Sequence, residues 1–246
     1  GRTPEPIPET LEETAAFARF IGADFGIAHD GDADRLVMID RRGVVVPDYA
    51  VCALVLKIIL ERVRRGTLVI SYNSSDALER IAKEAGCVVE RSRLGKTFQE
   101  LYSKRGIYAC EPSKMVDPKW GYWEDGIYAA ILITQYLSEK GMDLDDALGM
   151  IPRYYNYRKD MTVSFPLNYV AVKQNFENEF FGEVQGIEEI DGVKLRLSDG
   201  KGWLMLRSSG TENKVRVYCE SLDKEEGVKL LQRGILIAEM SQMKRL

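Results

Sequence analysis

Phe25-Gly26-Ile27-Ala28-His29-Asp30-Gly31-Asp32-Ala33-Asp34-Arg35-Leu36-Val37-Met38-Ile39 sets an acidic hexad between two apolar runs. The flanks read as buried strands, so Asp30–Arg35 is either their connection or a bulge at a strand end. With a near-extended backbone, alternation sends Asp30, Asp32 and Asp34 to one side, while Gly31 and Ala33 put almost nothing on the other. Carboxylates gathered in this way repel unless a cation or a raised pKa offsets the charge. Three hard oxygen ligands suit Mg²⁺, with further positions for water and phosphate. Arg35 is placed to take a phosphate oxygen through its guanidinium.

Other readings of the hexad fare unequally. A solvated acidic turn rarely lies between two runs of buried-strand character. An EF-hand loop needs Gly at its sixth position and Glu at its twelfth, where this chain has Arg35 and Arg41. A phosphatase-type Asp-x-Asp nucleophile at a strand end stays open on these residues alone. His29 is the sole histidine, and a satisfied strand-end imidazole is its plainer role.

Outward from this stretch, the chain of 246 residues has length for one large or two ordinary domains. A net charge of −4 with scattered Lys and Arg argues against nucleic-acid binding. No apolar run approaches the roughly 20 residues that span a bilayer. Cys52, Cys87, Cys110 and Cys219 are too widely spaced for a zinc site or a disulfide framework, which makes a reducing, cytoplasmic setting the expectation. The opening Gly1-Arg2-Thr3-Pro4 is neither a signal peptide nor an initiator sequence. A cut chain, or a piece of something longer, is expected from it.

The elements expected in order are a helix from about Leu11, the two strands around the hexad, and a short strand at Val44–Val46. A long helix over about 49–64 follows, capped by Asp48. Strands at Thr67–Ser71, Cys87–Glu90 and Ile107–Cys110 then alternate with helices at Ser75–Ala85 and Lys96–Lys104. A polar, aromatic segment from Pro112 to Glu124 leads to helices at about 125–140 and Leu144–Met150. This alternation predicts a doubly wound α/β layer, and the helix and strand ahead of it are half of an α/β unit. Sites in such folds lie beyond the strands' carboxyl ends, where Asn73-Ser74, Arg93–Lys96 and Glu111–Lys114 fall. Pro152 marks a boundary. Past it, a strand at Met161–Phe165, a helix over about 168–181, strands turning at Asp191-Gly192 and Asp199-Gly200, a strand at Val215–Glu220 and a closing helix from Lys224 predict a C-terminal α+β domain with an antiparallel sheet.

A second chemical loop lies in this C-terminal domain. Arg207-Ser208-Ser209-Gly210-Thr211-Glu212-Asn213 joins two strands and offers a guanidinium, hydroxyls and backbone N–H groups to a phosphate. A Ser/Gly hairpin turn that happens to follow an arginine is the bland reading of the same residues.

Taken together, the loops resemble the α-D-phosphohexomutase superfamily, the phosphomannomutase/phosphoglucomutase and phosphoglucosamine mutase enzymes. Asp30–Arg35 is similar to that family's Mg²⁺ loop, Glu111-Pro112-Ser113 to its Glu-x-Ser sugar loop, and Arg207–Glu212 to its Arg-x-Ser-Gly-Thr-Glu phosphate loop. Gly95-Lys96 falls where the family places a Gly and a polar substrate-contacting residue. The resemblance implies three domains: the end of one α/β domain over 1–44, a doubly wound three-layer α/β domain over 45–152 and a C-terminal α+β domain with an antiparallel sheet over 153–246. It implies metal ligation by Asp30, Asp32 and Asp34, with Arg35 supporting the transferring group. It implies sugar contacts from Gly95, Lys96, Glu111 and Ser113, and phosphate contacts from Arg207, Ser208, Ser209, Gly210 and Thr211. Lys114-Met115 stands where Gly-His is common, which makes Lys114 the substitute contact, and Asn213 stands where Pro is frequent.

The implied reaction interconverts hexose 1-phosphate and 6-phosphate through an enzyme phosphoserine and a sugar 1,6-bisphosphate, with Mg²⁺. The family's phosphoserine lies in a Thr-Ala-Ser-His-Asn-type loop of its first domain. With His29 the sole histidine, that loop is not among these residues. The expected partners are therefore a hexose phosphate and the missing N-terminal domain, and the fragment alone is expected to be inactive. A non-catalytic sugar-phosphate-binding or complementing subunit is the rival reading.

Overall fold

The computed structural model describes residues 3–210 and 213–242, so Thr211 and Glu212 of the expected phosphate loop lie outside the described residues. The chain divides into two compact units, the first running to Pro152 and the second starting at Arg153.

In the first unit a single 3-10 turn, Pro8–Thr10, leads into α1 (Glu12–Phe20), β1 (Phe25–Ala28) and β2 (Val37–Asp40). β1 and β2 pair antiparallel from Phe25↔Asp40 to Ala28↔Val37, so the acidic hexad closes a hairpin. The strand expected at Val44–Val46 is reduced to one bridge, Ile39↔Val45. α2 (Asp48–Arg62) follows. Its N-cap position is Pro47 and Asp48 is its first helical residue, not its cap. Every residue of α2 from Tyr49 to Leu56 is buried, as expected of a helix apolar all round. Each large aliphatic side chain so enclosed contributes about 1.5–3 kcal/mol.

The layer beyond α2 is built from β3 (Thr67–Ser71), α3 (Asp76–Glu84), β4 (Val88–Ser92), α4 (Thr97–Lys104), β5 (Tyr108–Glu111), β6 (Lys114–Val116), α5 (Gly126–Lys140) and α6 (Leu144–Gly149). Sheet order is β4-β3-β5-β6, with β3 parallel to β4 and to β5 and β6 antiparallel to β5. The crossovers from β3 to β4 and from β4 to β5 run in opposite directions across the sheet, and right-handed connections then put α3 and α4 on opposite faces. Accordingly α4 packs on β3 and β5, while α2 packs on α3 and α5. β6 falls inside the polar, aromatic segment from Pro112 to Glu124, where no strand was expected. Its three residues include only Met115 and Val116 as buried apolar positions, too few to show a period.

The second unit comprises β7 (Tyr155–Thr162), α7 (Tyr169–Glu179), β8 (Val184–Glu188), β9 (Val193–Leu197), β10 (Gly202–Ser208), β11 (Lys214–Ser221) and α8 (Lys224–Met240). All pairings are antiparallel, in the order β7-β11-β10-β9-β8. β7 begins six residues before the expected Met161, because Asn156, Arg158, Lys159 and Asp160 hide its alternation. Among the described residues it is an edge strand paired with β11 alone, and charge on such an edge discourages pairing with other chains. Val172, Phe176 and Phe180 meet Val193, Leu195, Leu204, Leu206, Val217 and Ile237 in one core beneath α7 and α8.

Candidate active site

The three aspartates converge, but through a turn and not through extended alternation. Ala33 takes φ 59° and its N–H donates to the Asp30 carbonyl at 3.3 Å, which curls the loop. Asp30, Asp32 and Asp34 each then offer a carboxylate oxygen within 4.8 Å of the others. Asp30 Oδ1 accepts the Arg35 N–H at 3.2 Å, and its Oδ2 lies 3.4 Å from Arg35 Nε. The Arg35 guanidinium also pairs with Glu5 at 3.0 Å. His29 Nδ1 is 2.7 Å from the Arg35 carbonyl, an acceptor, so the proton sits on that nitrogen. His29 is thus a strut of the loop.

The turn rests on the start of α5. Gly126 N–H donates to the Ala33 carbonyl at 2.9 Å, and a Cβ on Gly126 would stand 2.4 Å from the Arg35 carbonyl oxygen. The approach is too close for any side chain. It brings the positive end of a 15-residue helix against the acidic loop. Gly126 was not among the residues expected at the site; its only trace in the sequence is a glycine at a helix start.

Whether this loop suits a divalent cation is tested by its orphan atom. Among the described residues Asp34 Oδ1 is buried without a hydrogen-bond partner, a state that a carboxylate oxygen tolerates poorly unless a cation faces it. All-oxygen donors of this kind fit Mg²⁺. The other oxygen of Asp34 receives the Lys114 ammonium, which is also 3.3 Å from Glu124 Oε2. Burial works to lower the Lys114 pKa, yet the hydrogen bond to Asp34 and the charge of Glu124 outweigh it, leaving it above the usual lysine value. Burial first, then the charges of Glu111 and Asp34, hold Glu124 above the ordinary carboxylate range against the pull of Lys114.

The turn between Glu111 and Lys114 is stitched to the acidic loop. Leu36 N–H donates to the Ser113 carbonyl at 2.8 Å, and Arg35 bridges Lys114. Glu111↔Lys114 is the last pair of the β5–β6 hairpin. Its two-residue turn has Pro112 and then Ser113 at φ 62°, the sign pattern of a type II turn. Glu111 is almost fully buried, and its Oε1 accepts from Gly95 N–H at 2.6 Å and Thr97 Oγ at 3.0 Å. Gly95 and Lys96, both exposed, are thereby tied to Glu111 ahead of α4. Thr97 joins the site unforeseen. Met115 points into the core, 3% exposed, so Lys114 is the residue of that pair turned toward the acidic loop.

In the second unit, Arg207 and Ser208 end β10 and face Arg216 and Val215 of β11. Ser209 N–H donates to the Lys214 carbonyl at 2.8 Å. Ser208 is anchored: its hydroxyl accepts from Leu167 N–H at 3.3 Å, and its N–H donates to the Tyr169 hydroxyl at 3.1 Å. Gly210 is exposed. Arg207 Nε donates to Asp191 Oδ1 at 2.9 Å, a partner that the sequence spacing did not disclose. Gly192, at φ 94°, lets that turn press to 2.4 Å from the Leu206 carbonyl, measured to a hypothetical Cβ.

Three family descriptions match in order: Phosphoglucomutase/phosphomannomutase, alpha/beta/alpha domain II over residues 1–43, alpha/beta/alpha domain III over 47–154, and the C-terminal domain over 169–234. The phosphopentomutase of Thermococcus kodakarensis is 34% identical over 226 residues, 90% of this chain and 49% of that protein. The phosphoglucosamine mutase of Methanococcus maripaludis is 31% identical over 256 residues, 96% of this chain and 54% of that protein. The chain thus spans about half the length of the curated relatives it matches. In fold it is similar to the crystal structure of a putative phosphomannomutase from Thermus thermophilus, with TM-score 0.78 and 24% identity over 96% of this chain and 51% of that one. Among the described residues no helix is long and apolar enough to cross a membrane.

Proposed function

Because the chain belongs to the phosphoglucomutase/phosphomannomutase family, we propose that it forms the metal-, sugar- and phosphate-handling part of an isomerase that moves a phosphoryl group between the ends of a sugar phosphate. One observation carries this reading: three convergent carboxylates stitched to the Glu111–Lys114 hairpin through Leu36 and Ser113. Phosphoryl transfer asks a protein chiefly for positioning and charge neutralisation, and these loops are equipped for both.

In this reading Asp30, Asp32 and Asp34 hold Mg²⁺, which when bound neutralises charge on the phosphoryl donor. Arg35 supports the group in transfer. Glu111 and Ser113 take sugar hydroxyls in either orientation of the intermediate, with Gly95, Lys96 and Lys114 around them. Arg207, Ser208, Ser209 and Gly210, with Thr211, hold the phosphate that does not react. Such an anchor lets one site accept a sugar 1,6-bisphosphate both ways round. The donor phosphoserine is proposed to come from a further domain, joined covalently or supplied as a separate chain.

The substrate is proposed to be a hexose phosphate of the mannose, glucose or glucosamine series. A pentose phosphate is the second reading, favoured by the 34% identity to a protein named phosphopentomutase. The test is conversion of glucose 1-phosphate and of ribose 1-phosphate, with Mg²⁺ and the matching bisphosphate, by the chain alone and with a serine-bearing family domain added. Turnover is expected only with the added domain. Efficient turnover by the chain alone would show that one of its own serines is the donor. Binding of sugar phosphate without turnover in any combination would favour a non-catalytic subunit.

A further inference from the structure

Lys114 sits where two cations contend for one carboxylate. Its ammonium lies on Asp34 and 3.3 Å from Glu124 Oε2, while the other Asp34 oxygen is buried and, among the described residues, without a hydrogen-bond partner, in a carboxylate that clusters with those of Asp30 and Asp32. The Lys114 backbone is fixed by pairing with Glu111 and by the neighbouring Met115, buried in the core. Only the lysine's flexible stem is left to move, over the span between Asp34 and Glu124. A divalent ion at the focus of the three aspartates is repelled by a unit positive charge held on one of its own ligands, and repulsion of that kind is strong in a partly buried site.

We propose that Lys114 is a positioning residue that sets the metal affinity of the acidic loop: a resident counter-ion that weakens divalent binding while it lies on Asp34 and withdraws to Glu124 when the metal is in place. This rests on the reading of Asp30, Asp32 and Asp34 as metal ligands. It gives Glu124 a task that no motif assigns to it, the second berth of the ammonium. Lys114 shares its hairpin with Glu111 and Ser113, so the movement links metal occupancy to the sugar loop. Such a linkage is reciprocal: a sugar phosphate that draws Lys114 off Asp34 tightens the metal.

The experiment titrates Mn²⁺ by electron paramagnetic resonance into the chain and into its Lys114→Met, Lys114→Arg and Asp32→Asn variants. Lys114→Met is expected to bind Mn²⁺ roughly tenfold tighter, and Lys114→Arg, which keeps the charge, within about threefold of the parent. Asp32→Asn is expected to bind more weakly. Equal or weaker binding by Lys114→Met, with the parent still binding and Asp32→Asn impaired, overturns the inference and leaves the metal loop standing. No Mn²⁺ binding by either the parent or Lys114→Met overturns both. A second readout needs no folded Lys114 variant: ¹⁵N resonance of the lysine ammonium groups in the parent protein is expected to show the Lys114 signal shift on saturation with Mg²⁺. A signal unmoved at saturation overturns the withdrawal.

Discussion

Arg207 Nε donates to Asp191 Oδ1 at 2.9 Å, joining the end of β10 to the turn between β8 and β9. The carboxylate aims the guanidinium fork before any phosphate arrives, and that preorganisation lessens the ordering needed on binding. Arg207→Ala is expected to lose about 1.5–3 kcal/mol of sugar-phosphate affinity, roughly tenfold or more. Asp191→Asn keeps the shape and loses only the aim, so its effect should be smaller. Calorimetric titration with glucose 6-phosphate decides, and unchanged affinity in Arg207→Ala would return the loop to an ordinary hairpin turn.

Gly126 is expected to resist any enlargement. A methyl there would meet the Arg35 carbonyl at 2.4 Å and the Ala33 carbonyl at 2.9 Å, so either α5 or the acidic turn must shift. Gly126→Ala should destabilise the first unit by about 1–3 kcal/mol and weaken Mn²⁺ binding in parallel. A urea midpoint equal to the parent's would show that the loop yields freely.

What the sequence disclosed follows range and period. α2 and the α/β alternation were legible because their signals are long, and the convergence of Asp30, Asp32 and Asp34 was legible although its cause was not. Alternation was assumed; the curl made by Ala33 does the work, and a positive φ at an alanine leaves no mark in composition. β6 was too short to show a period. Asp191 and Thr97 escaped for another reason. Their contacts to Arg207 and Glu111 close through sheet pairing and a crossover, which spacing along one chain does not record.

Acid should loosen the α3–β4 edge through Glu79. Burial alone would raise its pKa, but Lys83 and Arg91 prevail and push it down from 4.5 to about 2. A group depressed in the folded state contributes stability that is fully present above its unfolded value and lost as pH falls through the folded one. The loss attached to Glu79 therefore falls between about pH 4.5 and about pH 2, and is on the order of 3 kcal/mol. Glu79→Gln should flatten the stability profile across that window, measured by urea unfolding at each pH. An unaltered slope would mean that the Arg91 and Lys83 pairs contribute nothing net.

Ser113 sets stability against binding. At φ 62° it holds a left-handed conformation that costs a residue with a Cβ about 1–2 kcal/mol, and its hydroxyl turns back onto the Pro112 carbonyl at 2.6 Å. Glycine removes the steric penalty and adds unfolded-chain entropy, two effects of similar size and opposite sign. Ser113→Gly is thus expected to raise stability by no more than about 1 kcal/mol, while losing the hydroxyl proposed to meet the sugar. Ser113→Ala keeps the strained backbone and loses the same hydroxyl, so it should match Ser113→Gly in weakened sugar-phosphate binding and fall below it in stability. Measuring both quantities on both variants separates the two roles. Ser113→Ala more stable than Ser113→Gly would place no strain at the turn, and undiminished binding in both would free Ser113 from any part in holding the sugar.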